Sequence, residues 1–143
     1  MCNKMNDRKI ICISGYFDPI HVGHIEYMEK AKALGDELVV IVNNDYQSSL
    51  KKGKSFMPDI ERVKVVESLK VVDRVVLSID TDRTVRETLK TIDPRPSIFA
   101  NGGDQTNKSI PETSVCEELG ICLVDGLGDK IQSSSWLIKK SLG

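Results

Sequence analysis

Runs of β-branched residues alternating with segments of helical spacing predict an α/β domain: one doubly wound, five-stranded parallel sheet with helices on both faces. Three observations carry this. The candidate strands are apolar almost throughout, as in VVIV at 39–42, which suits strands covered on both sides. Longer segments with apolar residues at helical intervals separate them. A chain of 143 residues that is 40% hydrophobic has the size of one compact domain, able to bury about 70% of its unfolded surface.

Taken in order, strands are expected at Lys9 to Ser14, Glu37 to Asn43, Asp73 to Ile79, Ser97 to Asn101 and Ile121 to Asp125. Helices are expected at Val22 to Leu34, Asp59 to Leu69, Asp82 to Thr91, Pro111 to Leu119 and Ser134 to Ser141. Pro111 fits a first helical position, and Gly35 and Gly120 each fit the residue just past a helix end. In the second helix Ile60, Val63 and Val66 share a face. Residues 1–8 read as an extension and 9–143 as the domain. Ligands of such folds sit beyond the carboxyl ends of the strands, where the strand order reverses. The loops after strands one, two, four and five are therefore the places for chemistry.

Charge and composition narrow the function. Twenty basic residues against 21 acidic ones leave a net charge of -1 and a pI near 6.1, so no whole-chain attraction draws the protein to nucleic acid or an anionic membrane. No apolar run approaches the roughly 18 residues that span a bilayer, and MCNKMNDRK lacks the apolar core of a signal peptide. A cytoplasmic protein is expected. Cys2, Cys12, Cys116 and Cys122 show no C-x-x-C pairing, and read as small core fillers rather than a disulfide or zinc framework.

The segment SGYFDPIHVGHIEYMEK leads from strand one into a helix and holds the only two histidines, His21 and His24. Three residues apart at a helix start, both imidazoles lie on one face of the first turn, beside backbone N–H groups with no intrahelical partner. That is a place for an anion, and Gly23 between them leaves a phosphate room to approach. A plainer alternative makes His21 a helix cap and His24 a surface residue. A zinc site would need Asp18 or Glu26 as a third ligand.

Other segments carry weaker phosphate signals. Lys51, Lys52 and Lys54 cluster after strand two, in what reads as a mobile loop. GKS at 53–55 is not a P-loop, because Ser48 stands where its first glycine belongs. Arg62 could simply pair with Asp59 or Glu61. Asn101, Gly102, Gly103 and Asp104 end strand four with paired glycines that let a flat base come close. Ser133, Ser134 and Ser135 open the last helix with hydroxyls and free N–H groups, whether as a simple cap or as a second anion site. A dinucleotide oxidoreductase is disfavoured, since strand one is not followed by G-x-G-x-x-G.

G-Y-F-D-P-I-H-V-G-H resembles the H-x-G-H signature of the nucleotidylyltransferase superfamily. The resemblance is to its cytidylyltransferase-like branch, with glycerol-3-phosphate cytidylyltransferase, the choline- and ethanolamine-phosphate cytidylyltransferases and the heptose-phosphate adenylyltransferases. It runs on through EKAKALGDELVVIVNND, Glu61 and Arg62 to Gly102–Asp104 and the serines at 133–135.

The resemblance implies a Rossmann-like sheet and transfer of CMP from CTP to a phosphorylated alcohol or sugar, with pyrophosphate leaving. ATP on a sugar phosphate is the alternative, since N-G-G-D at 101–104 resembles the heptose-phosphate enzymes at least as well. A nucleotide-binding module without turnover is another. The catalytic residues implied are His21, His24 and Lys51. Nucleotide contacts are implied at Tyr16, Phe17, Asp18, Gly23, Asn101, Gly102, Gly103, Asp104, Lys130, Ser133, Ser134 and Ser135, and acceptor contacts at Lys54 and Arg62. The last loop departs from the family pattern: Gly128 and Gln132 stand where its forms place an arginine, and Lys130 is the only cation nearby. A homodimer is also implied.

The attacking phosphomonoester, with a second pKa near 6, is already largely dianionic at neutral pH and needs no strong base. That agrees with a sequence offering no obvious catalytic carboxylate pair. Mg²⁺ is expected mainly on the triphosphate and water, with no protein ligand.

Overall fold

The computed structural model describes residues 9–17, 20–102 and 112–127. Five parallel strands form one sheet in the order β3-β2-β1-β4-β5: β1 (Ile10–Gly15), β2 (Glu37–Val42), β3 (Arg74–Leu77), β4 (Ile98–Gly102) and β5 (Cys122–Leu127). From central β1 the chain builds outward through β2 to β3, then crosses back to β4 and β5 on the other side. The strand order therefore reverses between β1 and β4, which puts a ligand crevice beyond their carboxyl ends.

Alternation along the strands sorts the core into two layers. Ile10, Cys12, Val39, Ile41 and Phe99 face α4 (Arg86–Thr91) and α5 (Thr113–Leu119), through Val85, Leu89, Val115 and Cys116. Ile11, Ile13, Leu38, Val40, Val42, Ile98 and Ala100 face α1 (Val22–Lys32) and α3 (Asp59–Glu67), through Met28, Ala31 and Val66. Apolar residues at both parities are what made the strands read as continuous hydrophobic runs.

Three elements differ from expectation. The segment after β2 is a helix, α2 (Asp45–Lys52), rather than a loop. Asn44 accepts from the Gln47 N–H at 2.8 Å while the Gln47 side chain accepts from the Asn44 N–H at 3.0 Å, a reciprocal cap that starts the helix. Helix α4 begins at Arg86, not Asp82, because Asp80 is its acceptor: the Glu87 and Thr88 N–H groups each donate to its carboxylate at 2.9 Å. On α3 the buried face is Arg62 and Val66, with Val63 partly buried, while Ile60 is 72% exposed. Cys12 and Cys116 are free and buried, whereas Cys122 is disulfide-bonded and departs from the filler role expected of all four. The expected helix at 134–141 lies outside the described residues.

Candidate active site

The start of α1 is built by its own histidines. The His21 Nδ1 accepts from the Gly23 N–H at 3.1 Å, and the His24 Nδ1 accepts from the His21 N–H at 3.1 Å. This satisfies two helix-start donors and has a chemical consequence. An imidazole that accepts at Nδ1 carries its proton on Nε2, so both rings have Nε2–H left as a donor. The rings stack with centroids 3.9 Å apart and planes 30° from parallel. Gly23 also leaves room for the His21 ring: a Cβ would lie 3.0 Å from His21 Cε1 and 3.2 Å from its Nδ1, so the ring would have to shift.

His24 is fixed from behind by Phe17, which meets it edge-on at 5.0 Å between centroids. Phe17 has a positive φ of 52° and is 2% exposed, folded back over Gly15. Positive φ is uncommon for such a bulky residue; burial of the ring in the α1-side core holds it there. The Phe17 side chain, expected as a nucleotide contact, is thus part of the core and packs against His24. Partial burial, with His21 and Lys51 nearby, lowers the His24 pKa from 6.5 to about 4, so the ring is neutral at physiological pH.

Lys51, in the last turn of α2, places its ammonium 4.4 Å from the Tyr16 ring centroid, a cation–π distance. Lys54 lies beyond α2 and is exposed. The Tyr16 hydroxyl is buried with no hydrogen-bond partner among the described residues.

Arg62 is where the structure departs most from expectation. It is 1% exposed, and its guanidinium donates to the Met57 carbonyl at 2.9 Å and to the Tyr16 and Asn43 carbonyls at 2.8 Å each. It also pairs with Asp45 Oδ1 at 2.8 Å. Its donors are consumed by protein, so Arg62 is not an acceptor contact. It ties the loops after β1 and β2 to the α2–α3 connection. Asp45 and Asp59 complete this junction, each carboxylate accepting the other's backbone N–H, at 2.8 and 2.9 Å.

A cleft of about 500 Å³ opens at the carboxyl edge of β1, β2 and β4, on the α4–α5 side of the sheet. Ser14, Gly15, Tyr16, Asn43 and Lys51 line it from one side, and Arg83, Thr84, Val85 and Glu112 from the other, with Phe99 also in the wall. Neither Arg62 nor any residue from Lys54 to Pro58, around which the acceptor pocket was expected, lines this cleft. Arg83 and Glu112 were missed because they come from segments almost thirty residues apart, neither carrying a motif. The only available signal was that 79–85 follows β3 at the ligand-bearing edge. The Glu112 carboxylate accepts from the Val85 N–H at 2.9 Å, and burial raises its pKa.

Of the other expected site residues, Asn101 and Gly102 end β4, where the pairing with β5 shifts register between Ala100 and Gly102. Asp18, Gly103, Asp104, Lys130, Ser133, Ser134 and Ser135 lie outside the described residues. Among the described residues no three His, Cys, Asp or Glu side chains converge as a metal site. No helix among them is long and apolar enough to cross a membrane.

A histidine pair at a helix start thus stands on the switch edge of a parallel α/β sheet. The chain belongs to the cytidylyltransferase-like family, whose sequence pattern matches residues 12–124. It is 35% identical over 132 residues to the bifunctional protein HldE of Geobacter metallireducens, covering 86% of this chain and 26% of that protein. It is 36% identical over 143 residues to HldE of Citrifermentans bemidjiense, covering 94% and 27%. The chain thus spans about a quarter of the length of these curated relatives. Among solved structures, a lipopolysaccharide core biosynthesis protein from Thermoplasma volcanium superposes with a TM-score of 0.69 at 31% identity, covering 83% of this chain and 94% of that one. An Archaeoglobus fulgidus protein at 21% identity, with a TM-score of 0.61 and coverage of 80% and 87%, shares the fold.

Proposed function

We propose that this chain transfers the adenylyl group of ATP to a sugar phosphate and releases pyrophosphate. The observation that carries the transfer chemistry is the pair of Nε2–H donors on His21 and His24, which the helix cap leaves free of backbone partners. Support for ATP and a sugar phosphate comes from the HldE relatives, the lipopolysaccharide-core neighbour and the N-G-G-D resemblance. That support moves the choice of donor from CTP, the first expectation, to ATP. CMP transfer from CTP to a phosphorylated alcohol is the second reading, favoured by the family's own description.

In the proposed mechanism the triphosphate lies over the α1 start and the acceptor enters the cleft. The two meet beside Tyr16 and Lys51. An acceptor phosphate oxygen attacks the α-phosphorus in line, the bond to the bridging oxygen breaks, and pyrophosphate carries the electron pair away. The two Nε2–H groups donate to the phosphates, and Lys51 offsets the charge that builds at the reacting centre. Neutral His24 donates without having to lose or gain a proton. Mg²⁺, when bound with the nucleotide, would supply further charge neutralisation on the phosphates. The metal would be held mainly by the nucleotide phosphates and water, since Mg²⁺ usually keeps several waters and few protein ligands. A cytoplasmic homodimer, with contacts through the first loop and helix, belongs to the same proposal.

The test is pyrophosphate release by the purified chain, with ATP or CTP, against a panel of sugar and alcohol phosphates. Faster turnover with ATP and a sugar phosphate is expected. Faster turnover with CTP would favour the second reading, and no release from any pair would overturn both.

A further inference from the structure

The cleft lined by Tyr16 and Lys51 mixes charges in a way that bears on what it admits. Lys51 and Arg83 supply cations suited to a phosphate, yet Glu112 adds a carboxylate to the same wall. A carboxylate near a phosphate site repels the ligand unless it meets a donor there. Glu112 is only 8% exposed and is held in place by the Val85 N–H, which bonds across 27 positions of sequence. That bond and one from its own backbone N–H use two of the roughly four acceptor sites of a carboxylate. At about 500 Å³ the cleft is in the range of small-molecule sites and larger than a phosphate alone requires.

We propose that Glu112 is a specificity residue: it accepts hydrogen bonds from hydroxyls on the body of the acceptor, so that the cleft selects a neutral, polyhydroxylated phosphoester. The proposal rests on the reading that the acceptor occupies this cleft. Hydroxyls match the site because each donates a proton to the carboxylate without bringing negative charge. An acceptor with its own carboxylate is repelled by Glu112, and one without hydroxyls leaves the remaining acceptor sites of a buried carboxylate unpaired, at a desolvation cost. Glu112 forms no bond in the transfer and takes no proton from the nucleophile. Ribose hydroxyls of the nucleotide offer the same chemistry, and the test separates the two sources.

The experiment compares the full chain with Glu112→Gln, which keeps an oxygen for the Val85 N–H, using ATP with a hexose 1-phosphate, its single-deoxy analogues and butyl phosphate. The expected result is a KM for the hexose phosphate raised roughly ten- to a hundredfold, as for loss of hydrogen bonds to a charged group. KM for ATP stays within about twofold, and butyl phosphate turns over poorly and equally in both proteins. A rise in KM for ATP instead, or an unchanged KM for the hexose phosphate, overturns the proposal. Should Glu112→Gln not fold, the deoxy series on the unaltered chain decides: removing no single hydroxyl with a penalty sinks the idea. Calorimetry with hexose 1-phosphate alone keeps this separate from the transfer reading. Binding that Glu112→Gln weakens supports the inference even without pyrophosphate release, and absence of binding to the unaltered chain overturns it.

Discussion

His21 and His24 stack 3.9 Å apart while each ring accepts a backbone N–H through Nδ1. The cap of α1 and the chemistry of the site are therefore one structure. Helix-start donors fix the ring tautomers, and the tautomers leave on each ring the Nε2–H that the proposed mechanism directs at a phosphate.

Cap and chemistry separate in the right variant. Asparagine is a good N-cap whose side-chain oxygen stands in for Nδ1, so His21→Asn should leave stability within about 0.5 kcal/mol. If a preorganised donor contributes roughly 3 kcal/mol to the transition state, turnover should fall about a hundredfold. Paired denaturation curves and pyrophosphate-release rates check both halves, and equal losses of stability and activity would speak against the donor role.

His24 makes stability depend on pH. The unfolded ring takes a proton below about 6.5 and the folded ring only below about 4, so between those values protonation favours the unfolded chain. Stability should fall as pH drops through this window. His24→Asn removes the titration and keeps an acceptor for the His21 N–H. Urea midpoints at pH 7 and pH 5 should therefore drop more for the unaltered chain than for the variant.

Arg62→Met should be among the most damaging changes on α3. It strands the carbonyls of Tyr16, Asn43 and Met57, and buried unpaired acceptors cost about 1–3 kcal/mol each. Asp45 is half exposed and can be resolvated, so a total near 3 kcal/mol is expected, measured by denaturant unfolding. Arg62→Lys recovers little, because an ammonium cannot span the same fork. A loss below about 1 kcal/mol would contradict the strut role.

Gly15→Ala puts a Cβ 2.6 Å from Phe17 Cζ. The ring must move, at a cost of roughly 1–3 kcal/mol for an overpacked core. His24 loses its backing with it, so turnover should drop beyond what the stability loss explains, measured well below the melting temperature.

Much of the sheet was legible because its strands have neighbours on both faces. Buried runs such as VVIV admit few other readings, and all five strands lie within two residues of expectation at each end. The H-x-G-H turn was legible because a local cap builds it. What the sequence hid depends on contacts between distant segments. Helix α2 is polar over YQSSLKK, so its hydrophobic pattern is weak, although N-x-x-Q at 44–47 is a capping signature that could have located it. Arg62 looked like a surface cation, since arginine is almost never fully buried unless paired, and its partners lie at 16, 43, 45 and 57. Glu112 and Arg83 reach the cleft only through the crossover that packs α4 and α5 behind the sheet.

The paired Nε2–H grip is tested most directly by ¹⁵N NMR of the two histidine side chains during a titration with ATP. Both rings should carry a proton on Nε2 while Nδ1 accepts from the backbone, and both Nε2 resonances should move as the nucleotide binds. Rings protonated on Nδ1, or Nε2 signals unmoved at saturating ATP, would contradict it.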